Sequence, residues 1–405
     1  MRALYRRIKT AINFLLDRAI DGCSSLLLIA KHSRAPIARS IIRRIARRLG
    51  DIAWLLRDLP RLPAYRLTGP EWSLVFVGGE HGLLEVRNLI FEGQAASQET
   101  LGRVALWRLS AHTERWLAGG VDLIVCEISR AFPWRLKARL AFSIPTWVQQ
   151  VIAIPTPPEK LLSGKHIHAT RSRINRANKN GFGYRFTRSK EEFDRFYHRM
   201  YVPFIRGRHG SLAWQTSYDR HLNHWFRRGG LVLVTQNDQP VAGTLCYRAG
   251  ETYYDVEGGV LDNDPHLIQQ GMNALLFWYA VLWAHANGAK KFNMGYSRAW
   301  LSNGAFDFKQ RWGARVVGPT AICAGWTFLA REMPAPLRAR LNQIRFIAEI
   351  RDRFYSVLLE ENAALDRVRL DEETAAARES GLDGVVVVSP DDSQSGVAQL
   401  SRKEI

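Results

Sequence analysis

Two carboxylates stand close together in the strand-like stretch TYYDVEGGV, at residues 252–260. Regular alternation along a strand would place Asp255 and Glu257 on one face, together with Tyr253. A carboxyl group that is desolvated beside an aromatic ring has a raised pKa, which suits it to act as a general base. Asp255 and Glu257 are therefore candidate catalytic residues, although acidic residues near strand ends are also common on solvated surfaces.

A second chemical feature is the cluster of basic residues in HATRSRINRANKNG, at residues 168–181. Arg171, Arg173, Arg176 and Lys179 fall in a segment that is typical of a short helix closed by Asn-Gly. Such a cluster can contact an anion, for example a nucleotide tail, a sugar phosphate or RNA. Charge clusters are more often solvated faces, so this role requires that the fold bring the cluster to a cleft.

Metal binding and triad chemistry have no support in the residue pattern. The four cysteines are scattered, and none forms a CxxC pair. His166 and His168 are two residues apart, but a metal site needs a further ligand nearby. His209, His221 and His224 lack the carboxylate or cysteine pattern of a catalytic triad. We therefore expect no metal.

The charge balance is the unusual feature of the composition. The chain has 405 residues, enough for two domains, and 46% hydrophobic with 23% charged residues is typical of a soluble globular protein. Lysine and arginine number 57 against 38 aspartate and glutamate, which gives a net charge of +19. A positive field of this size favours anionic partners, such as a phosphorylated co-substrate, tRNA or an acidic lipid surface.

Residues 1–67 are basic and typical of a helical segment. Within residues 37–56, isoleucine and leucine recur every three or four positions and form one apolar stripe. Such a helix can lie on an anionic membrane surface, or it can pack its stripe on the rest of the protein. No apolar run reaches the ~18 residues of a spanning helix, and the start lacks the features of a secretory signal. The sequence thus predicts a cytoplasmic protein, with peripheral association with the inner membrane face through residues 37–56 as an option.

The rest of the chain divides into three parts that differ in their sequence patterns. Residues 68–158 alternate between strand-like and helix-like stretches, which is typical of an α/β domain. Residues 159–330 contain three strands joined by short turns, a long helix and a further strand. Ser189 followed by Glu192 is a capping box, which predicts a helix start. Residues 331–405 indicate a helical segment followed by a largely disordered tail.

The strand–strand–strand–helix–strand order resembles the acyl-CoA N-acyltransferase (GNAT) fold. Three stretches resemble its branch containing the CelD-type acetyltransferases of cellulose biosynthesis and the Fem-type peptidoglycan aminoacyltransferases. They are KHIHATRSRINRANKNGFGYRF, QPVAGTLCYRAGETYYDVEGG and FDFKQRWGA, and together they cover about residues 160–320. The resemblance implies an α/β (α+β) mixed sheet flanked by helices. Because this branch often pairs two such folds, it also implies that residues 68–158 are a divergent first half.

The resemblance further implies acyl-CoA as a co-substrate and no permanently bound cofactor. The CoA signature of the fold, Gln/Arg-x-x-Gly-x-Gly/Ala at a helix start, is only partly matched. Gly271 takes the middle glycine place, but Ile268 stands at the first place and Asn273 at the last. Because backbone amides at a helix start can hold a pyrophosphate, a donor cradle is expected here, and a plain loop-to-helix turn is the alternative. The expected cradle residues are Gln269, Gln270, Gly271 and Asn273.

On the implied fold, a strand would end at Gly295, nearest to the split where donor and acceptor meet. Tyr296 would then lie at the mouth of this split and could donate to the oxyanion or to the leaving thiolate. Lys309 and Arg311 would remain at the surface of the cleft and bind phosphate or carboxylate. Alternatively, Lys309 caps a helix C-terminus and lays its stem on Trp312.

These features together favour an N-acyltransferase that moves an acyl group, with acetyl first, from a CoA thioester to an amine of a sugar or a cell-envelope precursor. One alternative is a Fem-like aminoacyltransferase that uses aminoacyl-tRNA, which the net charge and the incomplete CoA signature favour. A further alternative is a non-catalytic protein that binds nucleic acid or a membrane surface. Residues 159–330 are the expected acyltransferase domain, with Arg173 and Arg176 as substrate-binding residues.

Overall fold

The computed structural model describes residues 62–92, 97–129, 136, 138, 140–164, 167–210, 213, 215–318, 324–360 and 367–389. The amphipathic stretch at residues 37–56 lies outside the described residues, and so does the end of the expected disordered tail, from residue 390. Within the described part, no helix is both long enough and apolar enough to cross a bilayer.

The strands are β1 (Leu62–Thr68), β2 (Ser73–Val77), β3 (Ser97–Val104), β4 (Leu123–Ser129), β5 (Leu140–Pro145), β6 (Trp147–Ala153), β7 (Phe182–Thr187), β8 (Gly230–Gln236), β9 (Gln239–Ala249), β10 (Thr252–Val260), β11 (Lys291–Arg298), β12 (Arg315–Val317), β13 (Ala324–Ala330), β14 (Ile347–Ile350), β15 (Arg353–Leu359) and β16 (Gly384–Val388).

The α-helices of four residues or more are α1 (Glu80–Phe91), α2 (Leu109–Ala118), α3 (His168–Lys179), α4 (Lys190–Arg195), α5 (Val202–His209), α6 (Pro265–Gln269), α7 (Met272–Ala286), α8 (Gly304–Arg311), α9 (Ala335–Ile344) and α10 (Arg367–Glu379). Two further segments, Phe196–Tyr201 and His221–Trp225, are π-helical.

The first of two compact units contains the described residues up to 148, residues 298–306 and those from 317 onward. Its larger sheet has six strands in the order β3-β1-β2-β4-β13-β5, and its smaller sheet has the order β14-β15-β16. The strands β2 and β4 pair in parallel at the centre. The five residues of β2 are all buried, as is typical of a strand that is covered on both faces.

The second unit contains residues 149–297 and 307–316 and carries the stretches that raised the chemical questions. Its sheet has the order β12-β6-β11-β10-β9-β8-β7. The strands β7 to β10 are antiparallel neighbours, whereas β10 and β11 are parallel. The helix α7 forms the connection between these two parallel strands, because a parallel pair needs a crossover.

The two faces of this sheet are covered by different elements. Val232 and Cys246 pack with α7 residues in one cluster, and we call this side the α7 face. Leu231 and Leu245 pack with the segment Phe196–Tyr201 in another cluster, and we call this side the π face. Neighbouring residues of β8 thus point to opposite clusters, as strand alternation requires.

The sequence expectations for the second unit are largely confirmed. The mixed sheet flanked by helices is present, and so are the three-strand meander and the long helix. The side chain of Ser189 accepts from the backbone amide of Glu192 and caps α4, as the capping box predicted. The pairing of two GNAT-like halves stays a prediction.

Two expectations about secondary structure are wrong. Residues 62–67, predicted to close a helical segment, form most of β1, where Leu62, Ala64 and Leu67 bury their side chains in the sheet. For residues 331–389 the expectation is a helix to about residue 362 and then disorder, apart from the apolar run at residues 385–388. The helix α9 and the strand β16 agree with this expectation, but β14, β15 and α10 do not. The hairpin between β14 and β15 turns at Arg351-Asp352, which both adopt positive φ without the Asn-Gly signal of such turns.

Candidate active site

A split opens in the middle of the sheet of the second unit. The strands β10 and β11 pair only over Thr252–Tyr254 with Lys291–Asn293. Beyond this point β10 continues to Val260 in register with β9. Among the described residues, the edge of β10 that faces away from β9 therefore has no strand partner from Asp255 onward. An unpaired edge of this kind can bond the amide and carbonyl groups of a ligand.

A β-bulge on β10 lies at the start of the split. Asp255 pairs with Cys246 and Glu257 pairs with Leu245, so two steps on β10 oppose one step on β9. The extra residue shifts the alternation of side chains, because a one-residue slip moves them to the other face. Asp255 therefore lies on the α7 face with Cys246, and Glu257 lies on the π face with Leu245. The expectation that the two carboxylates share a face is wrong.

An irregularity on β11 lies opposite this bulge. The side chain of Asn293 is buried, and its Oδ1 accepts the backbone N–H of Gly295 at 2.9 Å. This bond occupies a donor that a regular strand would offer to its neighbour, and it needs the positive φ of +76° that Gly295 adopts. Gly295 was expected to end the strand, but β11 continues to Arg298. Gly295 is thus the point where β11 turns away from β10.

Asp255 is held in a desolvated position on the α7 face. The hydroxyl of Thr244 donates to Asp255 Oδ1. Burial raises the pKa of the Asp255 carboxyl to about 6, and the Thr244 hydrogen bond and the charge of Lys309 oppose this rise. The environment predicted for a general base is therefore present, but it comes with a buried cation.

Lys309 supplies that cation from α8. Its side chain is 6% exposed, and its Nζ donates to the Tyr296 carbonyl oxygen at 2.7 Å. Burial lowers the pKa of Lys309 to about 7, while the charge of Asp255 raises it. The expectation that Lys309 remains at the surface is wrong, because the helix α8 turns it toward the split. Arg311 is exposed as expected, and its Nη2 pairs with Asp307 Oδ2 at 2.6 Å.

Glu257 has a different environment on the π face. The Thr216 hydroxyl donates to Glu257 Oε1 at 2.9 Å, and His221 Nε2 lies 2.9 Å from Glu257 Oε2. The Tyr201 hydroxyl also contacts this carboxylate, and burial together with the Glu257 charge raises the pKa of Tyr201. The Glu257 side chain is 25% exposed, so it remains within reach of a substrate.

The partners of Glu257 are functional candidates that sequence reasoning missed. Thr216, Tyr201 and His221 lie 36 to 56 positions before it in the chain. No spacing rule links residues that far apart, and His221 had been set aside because it lacks the carboxylate or cysteine pattern of a catalytic triad. The apolar spacing of Phe193, Phe196 and Met200 is that of an ordinary α-helix, so it gives no sign of the π-helical turn that carries Tyr201.

Tyr296 follows Gly295 on β11, beside the split. The residue is 39% exposed, and its hydroxyl hydrogen-bonds Gln149. The next residue, Ser297, is buried, and its hydroxyl donates to Gln150 Oε1 at 2.8 Å. Tyr296 is therefore the more exposed of these two hydroxyl-bearing residues.

The start of α7 offers backbone amides for an anion, but they differ in part from the amides expected from the sequence. The backbone amides of Gln270 and Gly271 are bonded to the carbonyls of His266 and Ile268, so they are not the donors expected. The first amides of α7, at Met272 and Asn273, have no preceding turn to bond, as at every helix start. Gly271, at φ +90°, forms the N-cap. The side chains of Gln269 and Gln270 are exposed beside it.

Arg173 is brought to this helix start from α3. A Cβ added at Gly271 would meet Arg173 Cδ at 2.8 Å, so the arginine stem lies directly on the glycine. Arg176 is exposed one turn along α3. The fold therefore brings one of the two predicted anion-binding arginines into contact with the predicted cradle. In the described part of the chain, no group of three histidine, cysteine, aspartate or glutamate residues could hold a metal ion.

Comparison with known families agrees with this geometry. Residues 164–310 match the family model of the acetyltransferase (GNAT) domain. This segment is a GNAT-like acyltransferase domain. It contains α3, the split, α7 and all but the last residue of α8. The protein is therefore an enzyme of the acyltransferase type, and the non-catalytic alternative is set aside.

Solved structures similar to this GNAT-containing chain share little sequence with it. The C-terminal domain of a putative lysylphosphatidylglycerol synthetase from Agrobacterium fabrum is 12% identical, with a TM-score of 0.33, over 72% of this chain and 89% of that one. The L-PGS structure from Bacillus licheniformis is 14% identical, with a TM-score of 0.33, over 72% and 90%. FemX is 13% identical, with a TM-score of 0.34, over 65% and 83%. A comparison with curated protein sequences finds no match.

Proposed function

We propose that this GNAT-like enzyme transfers an acyl group, with acetyl as the first candidate, from a CoA thioester to the amine of a sugar or a cell-envelope precursor. The observation that carries this proposal is the split between β10 and β11, with a held carboxylate, Glu257, on the strand that borders it. The acyl-CoA is a co-substrate that binds and leaves in each turnover.

The donor is placed along the unpaired edge of β10. Amide groups of the CoA arm add to the free edge as a further strand would, because each can bond a backbone group beyond Asp255. The pyrophosphate of the donor then lies at the start of α7, near the amides of Met272 and Asn273, where the helix dipole favours negative charge. Arg173 adds a positive charge at the same place. Gln269 and Gln270 offer side-chain amides beside it.

The acceptor amine loses a proton to Glu257 in this mechanism. The amine nitrogen attacks the thioester carbonyl, one N–H bond breaks, and the proton moves to the Glu257 carboxylate. The C–S bond then breaks and the thiolate leaves. Tyr296 donates a hydrogen bond to this thiolate in the proposed mechanism, since it follows Gly295 beside the split and the residue is partly exposed. Glu257 suits the base role because Thr216 and His221 hold its carboxylate in place and its side chain stays partly exposed.

Asp255 and Lys309 have a different role, which is to hold the split open. Lys309 binds the Tyr296 carbonyl on β11, and Asp255 on β10 balances its charge. The pair thus links the two strands where their ladder is interrupted. Arg311 is already paired with Asp307, so we assign it no part in the reaction.

A transfer assay tests the proposal directly. Purified full-length protein is incubated with radiolabelled acetyl-, succinyl- and palmitoyl-CoA and a panel of amines, including glucosamine, galactosamine and lysine. We expect transfer with at least one pair and none with the Glu257→Gln variant. No transfer and no binding of any acyl-CoA would overturn the proposal.

Aminoacyl-tRNA as donor is the second candidate, and the exposed basic side of α3 favours it. Arg173, Arg176 and Lys179 are all exposed on this helix, and the chain has a net charge of +19. A field of this kind attracts a nucleic-acid backbone. Transfer from charged tRNA that ribonuclease abolishes, with no transfer from any acyl-CoA, would favour this donor. In both versions we place the reaction in the cytoplasm, with membrane attachment through residues 37–56 as an option.

A further inference from the structure

We infer that His221 is a positioning residue that orients the Glu257 carboxylate for proton transfer. This inference rests on the proposed function, because it gives Glu257 the role of general base. His221 does not touch the substrate or take the proton in this account. Its part is to hold Oε2 so that the carboxylate faces the split in one orientation.

The contact between the two side chains is close and shielded. The His221 side chain is 0% exposed, and its Nε2 lies 2.9 Å from Glu257 Oε2. The line from the ring N–H to Oε2 is imperfect, and neither atom has another aligned hydrogen-bond partner in the described part of the chain. Catalytic hydrogen bonds are often poorly aligned before substrate binds and tighten in the complex. Once the contact tightens, His221 Nε2 and Glu257 Oε2 are each other's hydrogen-bond partners.

The protonation of the ring follows from the same contact. With hydrogen on Nε2, the ring donates toward the carboxylate, and its Nδ1 is left as a buried acceptor. With hydrogen on Nδ1 instead, two lone pairs would face each other at 2.9 Å, and a buried donor would lack a partner among the described residues. We therefore assign the proton of the neutral ring to Nε2.

The secondary structure around Glu257 is an independent observation. Tyr201 is the last residue of one π-helical segment, and His221 is the first residue of the other. Such segments make up well under 1% of residues in proteins and are frequent at functional sites. In the second unit, the first π-helical segment ends, and the second begins, at a residue that contacts the Glu257 carboxylate. The extra residue in each turn is what aims these side chains at Glu257.

The first π-helical segment also approaches β10 unusually closely. A Cβ added at Gly259 would lie 2.4 Å from the Met200 carbonyl carbon, so only glycine fits at this position of the strand. The residue after Met200 is Tyr201, and Gly259 is two positions after Glu257. The close approach therefore sets the depth at which Tyr201 meets the carboxylate, while Thr216 holds Oε1.

Three substitutions at position 221 test the inference, with acetyl-CoA and glucosamine as first probes and the best donor–amine pair of the panel thereafter. Gln places an amide nitrogen near the position of Nε2, whereas Asn places one near Nδ1, and Leu offers no donor. We expect His221→Leu and His221→Asn to lower kcat roughly 10–100-fold with KM for the donor changed less than about twofold. His221→Gln should recover kcat to within about fivefold of the unaltered enzyme.

A double-variant cycle separates positioning from plain structural support. In a Glu257→Gln background, His221→Leu should cause no further loss, because the carboxylate it orients is gone. Equal kcat in the Gln and Asn variants, or a full further loss in the double variant, would overturn the inference. If His221→Leu does not fold, the Gln and Asn pair carries the test. Retained activity in Glu257→Gln alone would instead overturn the proposed base.

A readout without turnover completes the test. Long-range proton–nitrogen spectra of the ¹⁵N-histidine protein report which ring nitrogen carries hydrogen. We expect the Nε2–H form for His221 and a shift of its Nε2 resonance in Glu257→Gln. An Nδ1–H form, or a spectrum that Glu257→Gln leaves unchanged, would contradict the inference even if the transfer assay had found no substrate.

Discussion

Asp255 and Glu257 are two residues apart on one strand, yet they have opposite environments. Asp255 lies on the α7 face opposite a buried ammonium, and burial raises its pKa to about 6. Glu257 lies on the π face, where Thr216 and His221 meet its two oxygens and part of its side chain stays exposed. This difference is the reason why we propose a structural role for the first carboxylate and a catalytic role for the second. One bulge residue is enough to divide these roles.

The largest expected effect comes from Glu257→Gln. This change keeps the shape of the side chain but removes the proton acceptor, so we expect kcat to fall about 10²–10⁴-fold. The melting temperature should change by no more than a few degrees, because the site is partly exposed. Steady-state kinetics and thermal melts check both parts. A variant that keeps its kcat would break the proposed division between the two carboxylates.

Lys309→Met should act on stability instead. It leaves the Asp255 carboxylate desolvated without its cation, and the Tyr296 carbonyl loses its donor. At pH 6.5 we expect the free energy of unfolding to fall by roughly 1–2 kcal/mol, because the Tyr296 carbonyl loses its donor and Asp255 takes up a proton once the cation is gone. Urea denaturation measures this change.

The matched control is the double variant Asp255→Asn with Lys309→Met. It should recover at least half of the lost free energy of unfolding, because no uncompensated buried charge remains. If single and double variants unfold at the same urea concentration, the two side chains are not energetically coupled, and the structural role of Asp255 fails.

The pH dependence of stability follows from the same pair. Asp255 has a raised pKa in the folded state, so the folded protein holds a proton that the unfolded chain has lost, and the free energy of unfolding falls from about pH 4 to pH 6. Lys309 has a lowered pKa, so the free energy of unfolding rises again above about pH 7 as the folded state loses its proton.

These two slopes predict a minimum between about pH 6 and 7. Its depth should be on the order of 1–3 kcal/mol relative to the double variant, given ~1.4 kcal/mol for each unit of pKa difference. Urea denaturation at a series of pH values measures the difference between the two proteins. If the difference in the free energy of unfolding between the two proteins stays constant across the pH series, the shifted pKa values of Asp255 and Lys309 are contradicted.

The smallest expected effect is that of Arg173→Ala. The arginine lies on Gly271 at the start of α7, so its loss should weaken acetyl-CoA binding by about fivefold, or ~1 kcal/mol, without changing kcat. Arg176→Ala, on the same helix, should weaken binding less than twofold. Isothermal titration measures the affinity of both variants for acetyl-CoA. Equal losses of affinity would show that only the total charge of α3 contributes, and not the position of Arg173.

The sequence predicts most of the elements that build the second unit. The apolar runs of β8 and β9, the Ser189 cap and the helix after Gly271 are local features with local causes. These predictions succeed because turn chemistry and periodicity act over a few residues.

The site itself depends on irregularities that periodicity does not contain. A bulge adds one residue without any marker in YYDVE, and this moved Glu257 to the face opposite to Asp255. Lys309 was predicted at the surface because lysine is rarely buried, and the hydrogen bond to the Tyr296 carbonyl that offsets its burial is a tertiary contact. His221 meets Glu257 only through the folding of the π-helical segments.

A crystal structure with a non-reactive acetyl-CoA thioether is the sharpest check of the proposed site, because the position of the donor fixes every other role. We expect its pantetheine arm to lie in the split between β10 and β11, with the carbonyl carbon near Glu257 and the pyrophosphate at the start of α7. An analogue bound elsewhere, or β10 and β11 closed into one continuous ladder past Tyr254 and Asn293, would contradict it.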